Sequence, residues 1–301
     1  MPLPLTRPAT VTGIGSVPGT EVRDWPARIS DQLPDLPHVP ELPQRGPGAD
    51  MVGRTLGLLS ATAADFCAAT TVTGWELTAA TRDMRRARSL LAEDLDAVEL
   101  AWTGYSGLAK QQVAGPYTLA AAVEYRGRRL LADPGLVRDL VTAWEAMVAE
   151  HRQSLSSRVA ATWLIQADEP LLPAVVAGTV RTISGFSVYP SLSVSVPQGA
   201  DLLHCCAPGL PWDRLQGLAG LLIDSSLSTL ADDVPLAELS TRGTTLGFGV
   251  SPGAGSVRKV LDFYDRTGLT PQPMLITPPC GMVADYVPWQ RIAEDLTERV
   301  S

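Results

Sequence analysis

Short apolar runs alternate with longer amphipathic stretches along the whole chain, and that rhythm restricts the fold more than any other feature. It is the pattern of an α/β fold built on a parallel sheet. The strand candidates are Val11–Gly15, His38–Leu42, Gln112–Ala114, Thr162–Ala167, Asp201–Cys205, Leu221–Asp224, Thr245–Val250 and Met274–Thr277. Eight is the number of strands that closes a (β/α)8 TIM-type barrel, and such barrels often run beyond 200 residues as one domain. The expectation is therefore a single barrel over residues 1–301. Helical signals lie between the runs. Asp133-Pro134 opens a stretch through Leu140, Trp144, Met147 and His151, with proline in the first turn. Further helices are expected over Ala87–Val98, Pro211–Leu218 and Val287–Val300. The proline-rich stretch Leu33–Pro47 is the one long irregular segment expected, wrapping over a barrel mouth.

Charge and composition exclude several partners. The net charge is -8, with no Lys/Arg run and no aromatic-basic stripe, which argues against nucleic acid. No apolar stretch approaches the roughly 20 residues of a membrane span. The N-terminal Met1-Pro-Leu-Pro-Leu-Thr-Arg7 lacks the form of a secretion signal, so the expected location is the cytoplasm. Four cysteines, two of them adjacent, do not resemble a disulfide framework.

The ends of the candidate strands carry the chemistry. They read Gly13-Ile-Gly-Ser16, Glu41, Gly115-Pro116, Gln166-Ala-Asp-Glu-Pro170, His204-Cys-Cys206, Asp224-Ser-Ser226, Gly249-Val250 and Pro279-Cys-Gly281. The C-terminal strand ends form the catalytic face of such barrels. Residues two apart on a strand share a face, so His204 and Cys206 can grip one ion while Cys205 points away. Cys280, at another strand end, supplies a third soft ligand. One imidazole and two thiolates suit catalytic zinc with a position left open. Cys67 sits among alanines and reads as a small core filler.

Taken in order, Thr12-Gly-Ile-Gly-Ser-Val-Pro-Gly-Thr20, Asp50-Met-Val52, Gly115-Pro-Tyr-Thr118, Ile165-Gln-Ala-Asp-Glu-Pro170, His204-Cys-Cys206 and Pro279-Cys-Gly281 resemble the catalytic C-terminal domain of cobalamin-independent methionine synthase, a relative of uroporphyrinogen decarboxylase. The resemblance covers most of the chain, without the family's separate N-terminal barrel. It implies a zinc-dependent methyltransferase in methionine biosynthesis, in which the metal activates the thiol of homocysteine. It further implies His204, Cys206 and Cys280 as zinc ligands, with Asp224 the nearest carboxylate to the family's fourth ligand and Ser226 or water its alternatives. Asp168, with Glu41 beside it, would meet the substrate ammonium; the Gly15-Ser16 backbone would meet its carboxylate, and Gln166 would complete the hydrogen bonds.

The chain departs from the family where the methyl donor binds. Ala122 stands where the folate enzymes carry a stacking Trp, and Gly249–Gly255 lacks the family's His. Methyltetrahydrofolate needs protonation of its departing nitrogen, a contribution of about 10²–10⁴-fold. A donor such as methylcobalamin or a corrinoid protein needs none, so folate and corrinoid both stand as candidate partners. Arg45 replaces a family acid, and either suits an anionic group or is a solvated loop charge. Two other functions compete: a zinc- or thiol-binding barrel without turnover, and a tetrapyrrole decarboxylase-like enzyme using Arg45, Arg54 and Arg126.

Overall fold

The computed structural model describes residues 2–79, 82–253 and 255–300. Met1, in the N-terminal stretch read above, and Ala254, in the Gly249–Gly255 loop, lie outside the described residues. In chain order the strands are β1 (Ala9–Val11), β2 (Ala68–Thr71), β3 (Gly74–Leu77), β4 (Leu108–Ala114), β5 (Val123–Tyr125), β6 (Arg128–Arg129), β7 (Thr162–Asp168), β8 (Leu202–Cys205), β9 (Gly220–Asp224), β10 (Thr245–Gly249) and β11 (Met274–Thr277). Seven of them form one parallel sheet in the order β1-β11-β10-β9-β8-β7-β4. The helices Met51–Thr62, Arg82–Ala101, Pro134–Arg158 and Ser256–Thr267 lie between these strands in sequence and Val287–Val300 follows the last, as an α/β fold requires.

The expected eighth strand, His38–Leu42, is not formed as a strand. Its residues make single parallel bridges to both edges of the sheet, His38 to Lys110 and Glu41 to Ser16. Four backbone bonds carry them: Val39 N–H to the Lys110 carbonyl, Lys110 N–H to that of Pro37, Glu41 N–H to that of Gly15 and Val17 N–H to that of Glu41. Pro34, Pro37, Pro40 and Pro43 recur every third residue and have no N–H to give, so a continuous ladder cannot grow. The segment thus lies in the wall between the sheet edges, not over a mouth as the sequence suggested. What the structure shows is a curled seven-stranded parallel sheet with a bridged gap.

The inner face of the sheet changes character along its length. Leu164, Leu202, Leu222 and Leu275 pack together with Leu3 and Leu36. Two residues further along the same faces stand Gln166, His204, Asp224 and Thr277, and Lys110 and Gln112 follow Leu108. The alternate residues, such as Ile165, Leu203, Leu221 and Ile276, join the larger core between sheet and helices. A plug of leucines therefore closes one end, and polar groups converge toward the C-terminal strand ends.

Three features depart from the sequence reading. A second sheet, β2-β3-β5-β6, was not anticipated. The helix expected over Pro211–Leu218 is a single 3-10 turn, Trp212–Arg214. Residues 178–201 form a second long irregular segment with one isolated bridge, Arg181 to Val188. The remaining expected helices are present: Arg82–Ala101 and Pro134–Arg158 are longer than read, and Val287–Val300 has the expected bounds. Among the described residues, no helix is long and apolar enough to cross a membrane.

Candidate metal centre and substrate pocket

His204 lies near the end of β8 on the inner face, Cys206 follows the strand, and Cys280 follows β11 in the loop that Gly281 turns with a φ of 139°. One ligand atom from each lies within 4.8 Å of the others, the only such grouping of three or more potential ligands among the described residues. A tetrahedral zinc site with bonds of about 2.0–2.3 Å has edges of about 3.5–3.8 Å, so a small closure brings these three onto one ion. Cys205 takes the other side of the strand. It lines a small pocket with Leu210, Trp212 and Ile223, and its S–H donates to the Ala207 carbonyl at 3.7 Å. Burial pushes its thiol up to about 12, so it is neither placed nor ionised to bind the same cation.

The two facing thiols behave as a pair. The Cys280 S–H donates to Cys206, and this bond, helped by the nearby His204 imidazole, holds Cys206 well below the usual thiol range against its partial burial. Cys280 is pushed up for the converse reason, because its ionisation would set a second negative charge beside the first. A cation between them removes that repulsion and admits both thiolates.

His204 is the one histidine of three available as a ligand. His38 is enclosed: Nδ1–H donates to the Val39 carbonyl and Nε2 accepts from Tyr286 Oη at 2.8 Å, while burial and Lys110 pull it down to about 3. His151 is buried in the core and likewise lowered to about 3, by burial and by Arg54. His204 Nδ1 donates to Asp168 Oδ1 at 2.7 Å, which leaves Nε2 as the nitrogen open to a cation. Such a carboxylate behind a metal-binding imidazole fixes its tautomer and orientation.

Asp168 therefore has a role that spacing did not disclose. Its Oδ1 also accepts from Gln166 Nε2 at 2.7 Å; Oδ2 has no hydrogen bond to a described residue and remains for a ligand. Gln166 bridges to the start of the chain by donating to the Ile14 carbonyl at 3.1 Å, beside Gly15 and Ser16. Gly15 has a φ of 148°, and a Cβ there would meet the Gln112 side chain at 2.7 Å, so only glycine admits this approach. The Ser16 carbonyl accepts from Val283 N–H. Glu41 lies buried on the wall segment, raised to about 7 by burial and by Asp168 against the pull of Arg54 and Lys110.

Asp224 is not brought into the cluster. Its Oδ1 accepts from both the backbone N–H and the hydroxyl of Ser226, at 2.9 and 2.6 Å, in a turn that closes β9. It stands near enough to oppose ionisation of Cys280, yet outside the triangle of ligand atoms. Arg45 is neither an anion receptor nor a solvated loop charge. It pairs with the fully buried Asp94, which also accepts from Arg54 Nη1 at 2.6 Å. With both guanidiniums committed to Asp94, neither is free to line a mouth for a tetrapyrrole polycarboxylate. Arg126 is exposed and stacks on Tyr125 at the turn between β5 and β6. Ala122 ends the helix Pro116–Ala122, and its carbonyl accepts from Arg129.

Two residues escaped the sequence reading. Glu169 is fully buried and accepts from the Tyr117 and Thr118 N–H groups at 2.9 and 2.7 Å and from the Thr118 hydroxyl at 2.7 Å. It thereby caps the helix at Gly115-Pro-Tyr-Thr118 from a neighbouring strand end. Lys110, one of two lysines in the chain, is wholly enclosed, and its Nζ donates to Gln166 Oε1 at 2.7 Å. Burial lowers it to about 8, while Asp168 and Glu41 support its charge. A lone lysine in a lysine-poor chain, two residues before the expected strand Gln112–Ala114, is the signal that could have found it.

No protein-family model and no curated protein matches this chain. Among solved structures it is similar to one provisionally assigned as a vitamin-B12-independent methionine synthase from Listeria monocytogenes, at 14% identity and a TM-score of 0.44, covering 75% of this chain and 73% of that one. It is also similar to a B12-independent methionine synthase from Shewanella sp. W3-18-1 in complex with selenomethionine, at 13% identity and a TM-score of 0.42, covering 68% and 66%.

Proposed function

We propose that the chain is a zinc-dependent methyltransferase whose acceptor is a small thiol, homocysteine, and whose product is methionine. The observation that carries this reading is the convergence of His204, Cys206 and Cys280, with the imidazole backed by Asp168. Two soft sulfurs and one imidazole are a donor set for zinc, and three ligands leave a position for a substrate sulfur. Zinc held there would keep a bound thiol as its thiolate at neutral pH.

The surrounding residues suit an amino-acid thiol. Asp168 Oδ2 and Glu41 offer carboxylate oxygens to an ammonium, and the Gly15-Ser16 turn offers backbone N–H groups to a carboxylate. Enclosure by the leucine plug below keeps water from that side of the pocket. The donor side favours a methyl-corrinoid. Neither Ala122 nor the Gly249–Gly255 loop supplies a stacking ring or a proton for a folate nitrogen, and a methyl–cobalt bond needs neither.

The test is zinc stoichiometry by elemental mass spectrometry, followed by transfer of isotope-labelled methyl to homocysteine from methylcobalamin and from methyltetrahydrofolate. About one zinc per chain with label in methionine is expected, faster from the corrinoid. Zinc and homocysteine binding without transfer from either donor would replace this reading with a thiol-binding barrel.

A further inference from the structure

We infer that Lys110 is a positioning residue for the His204 ligand, acting through Gln166 and Asp168 to hold the imidazole with its proton on Nδ1 and its lone pair on Nε2. The inference rests on the metal-centre reading above, but concerns residues outside the ligand set.

The polarity of each link follows from the one before it. An ammonium has donors and no acceptor, so Gln166 must turn Oε1 toward Lys110 Nζ. The amide nitrogen then points the other way, where it meets two acceptors, the Ile14 carbonyl and Asp168 Oδ1. Asp168, held by that donor, receives the His204 Nδ1 proton on the same oxygen. Lys110, Gln166, Asp168 and His204 are all buried, so water does not compete for these bonds. The other neighbour of Lys110 Nζ is the Ile14 carbonyl at 3.5 Å, which ties the relay to the turn at Gly15-Ser16. A cation buried at this depth is otherwise costly, and the relay supplies its reason for being there.

The experiment uses the metal-free full chain, labelled with 15N at histidine, at about pH 7.3, above the ordinary imidazole value of about 6.5 and below the lowered value of about 8 for Lys110. Long-range proton–nitrogen spectra report the tautomer of His204, and competition with a chelator reports zinc affinity. Wild type is expected to carry its proton on Nδ1. Lys110→Met, which keeps length and loses the donor, is expected to mix the tautomers and weaken zinc by about 10–100-fold, the range for changes behind a metal ligand. Gln166→Glu provides a second variant should Lys110→Met fail to fold. It keeps a partner for Lys110 but offers Asp168 repulsion in place of a donor, and the same two changes are expected. Wild type protonated on Nε2 would overturn the relay, as would folded Gln166→Glu with wild-type tautomer and affinity. Wild type showing the Nδ1 tautomer yet binding no zinc would uphold the relay and remove the methyltransferase reading instead.

Discussion

At Cys205 and Cys206 one step along the backbone separates a core thiol from a candidate ligand. Cys206→Ser and Cys280→Ser are expected to weaken zinc beyond the roughly 100-fold that outer residues control, whereas Cys205→Ser leaves metal content unchanged; elemental analysis after dialysis reads all three. Equal loss in the three would contradict the alternation of faces. Gly115 makes a complementary case. A Cβ there would lie 2.2 Å from Glu169 Oε1, so Gly115→Ala displaces the carboxylate that caps the next helix. Thermal denaturation should show a loss of about 1–3 kcal/mol. Strand parity made the pairing of His204 with Cys206 legible from sequence, and Cys280 was legible as a third soft ligand at another strand end. The Asp168–His204 bond was not legible, because it depends on two strands being neighbours in register, Asp168 opposite His204. Asp224 reads as the nearest carboxylate to a fourth ligand, with Ser226 or water as alternatives, and its distance along the chain says nothing of Ser226 bonding to its Oδ1.

Among elements, the buried strands were readable because a parallel sheet covered on both faces leaves continuous apolar runs. β2, β3, β5 and β6 are two to four residues long and mix buried with exposed positions, so no period could show in them. The wall segment 38–41 looked like a strand by its residues, and its prolines decided otherwise. Helix Arg82–Ala101 is held to helix Met51–Thr62 and to the turn Pro43–Arg45 through Asp94, fully buried between Arg54 and Arg45. Asp94→Asn leaves two guanidiniums short of their counter-charge. Urea unfolding is expected to show a loss of about 3–5 kcal/mol, the range for breaking a buried pair from one side. Arg45, read alone, gave no sign of this, since its partner lies 49 positions later.

Across the whole molecule, buried titratable groups set opposing demands on pH. Glu41 and Glu169, both raised from 4.5 to about 7, favour the folded state at low pH, and that gain is lost as pH rises from 4.5 through 7. His38 and His151, lowered from 6.5 to about 3, act the other way, and their contribution is lost as pH falls from 6.5 toward 3. Between about 4.5 and 6.5 the two pairs exchange equal numbers of protons on unfolding, so their slopes cancel. Urea titrations of the metal-free chain should show a plateau of stability there, falling below 4.5 and again above 6.5. Lys110, lowered only to about 8, stays charged in both states across this range. Substituting Glu41→Gln should tilt the plateau so that stability rises with pH through it. A curve still flat in that variant would assign the balance to other groups.

The wall between the sheet edges is fastened by other means than the strands around it. The candidate ligands sit on or beside strands locked into a seven-membered ladder, whereas Glu41 sits on a segment held by four backbone bonds and punctuated by proline. What fixes 38–45 beyond those bonds is side-chain packing, with His38, Val39, Glu41 and Leu42 buried and Arg45 paired with Asp94, so the segment is held by its contacts and not by the ladder. On the proposed function, the side of the site that faces the acceptor is thus tied to the sheet by fewer backbone bonds than the side that carries the candidate ligands.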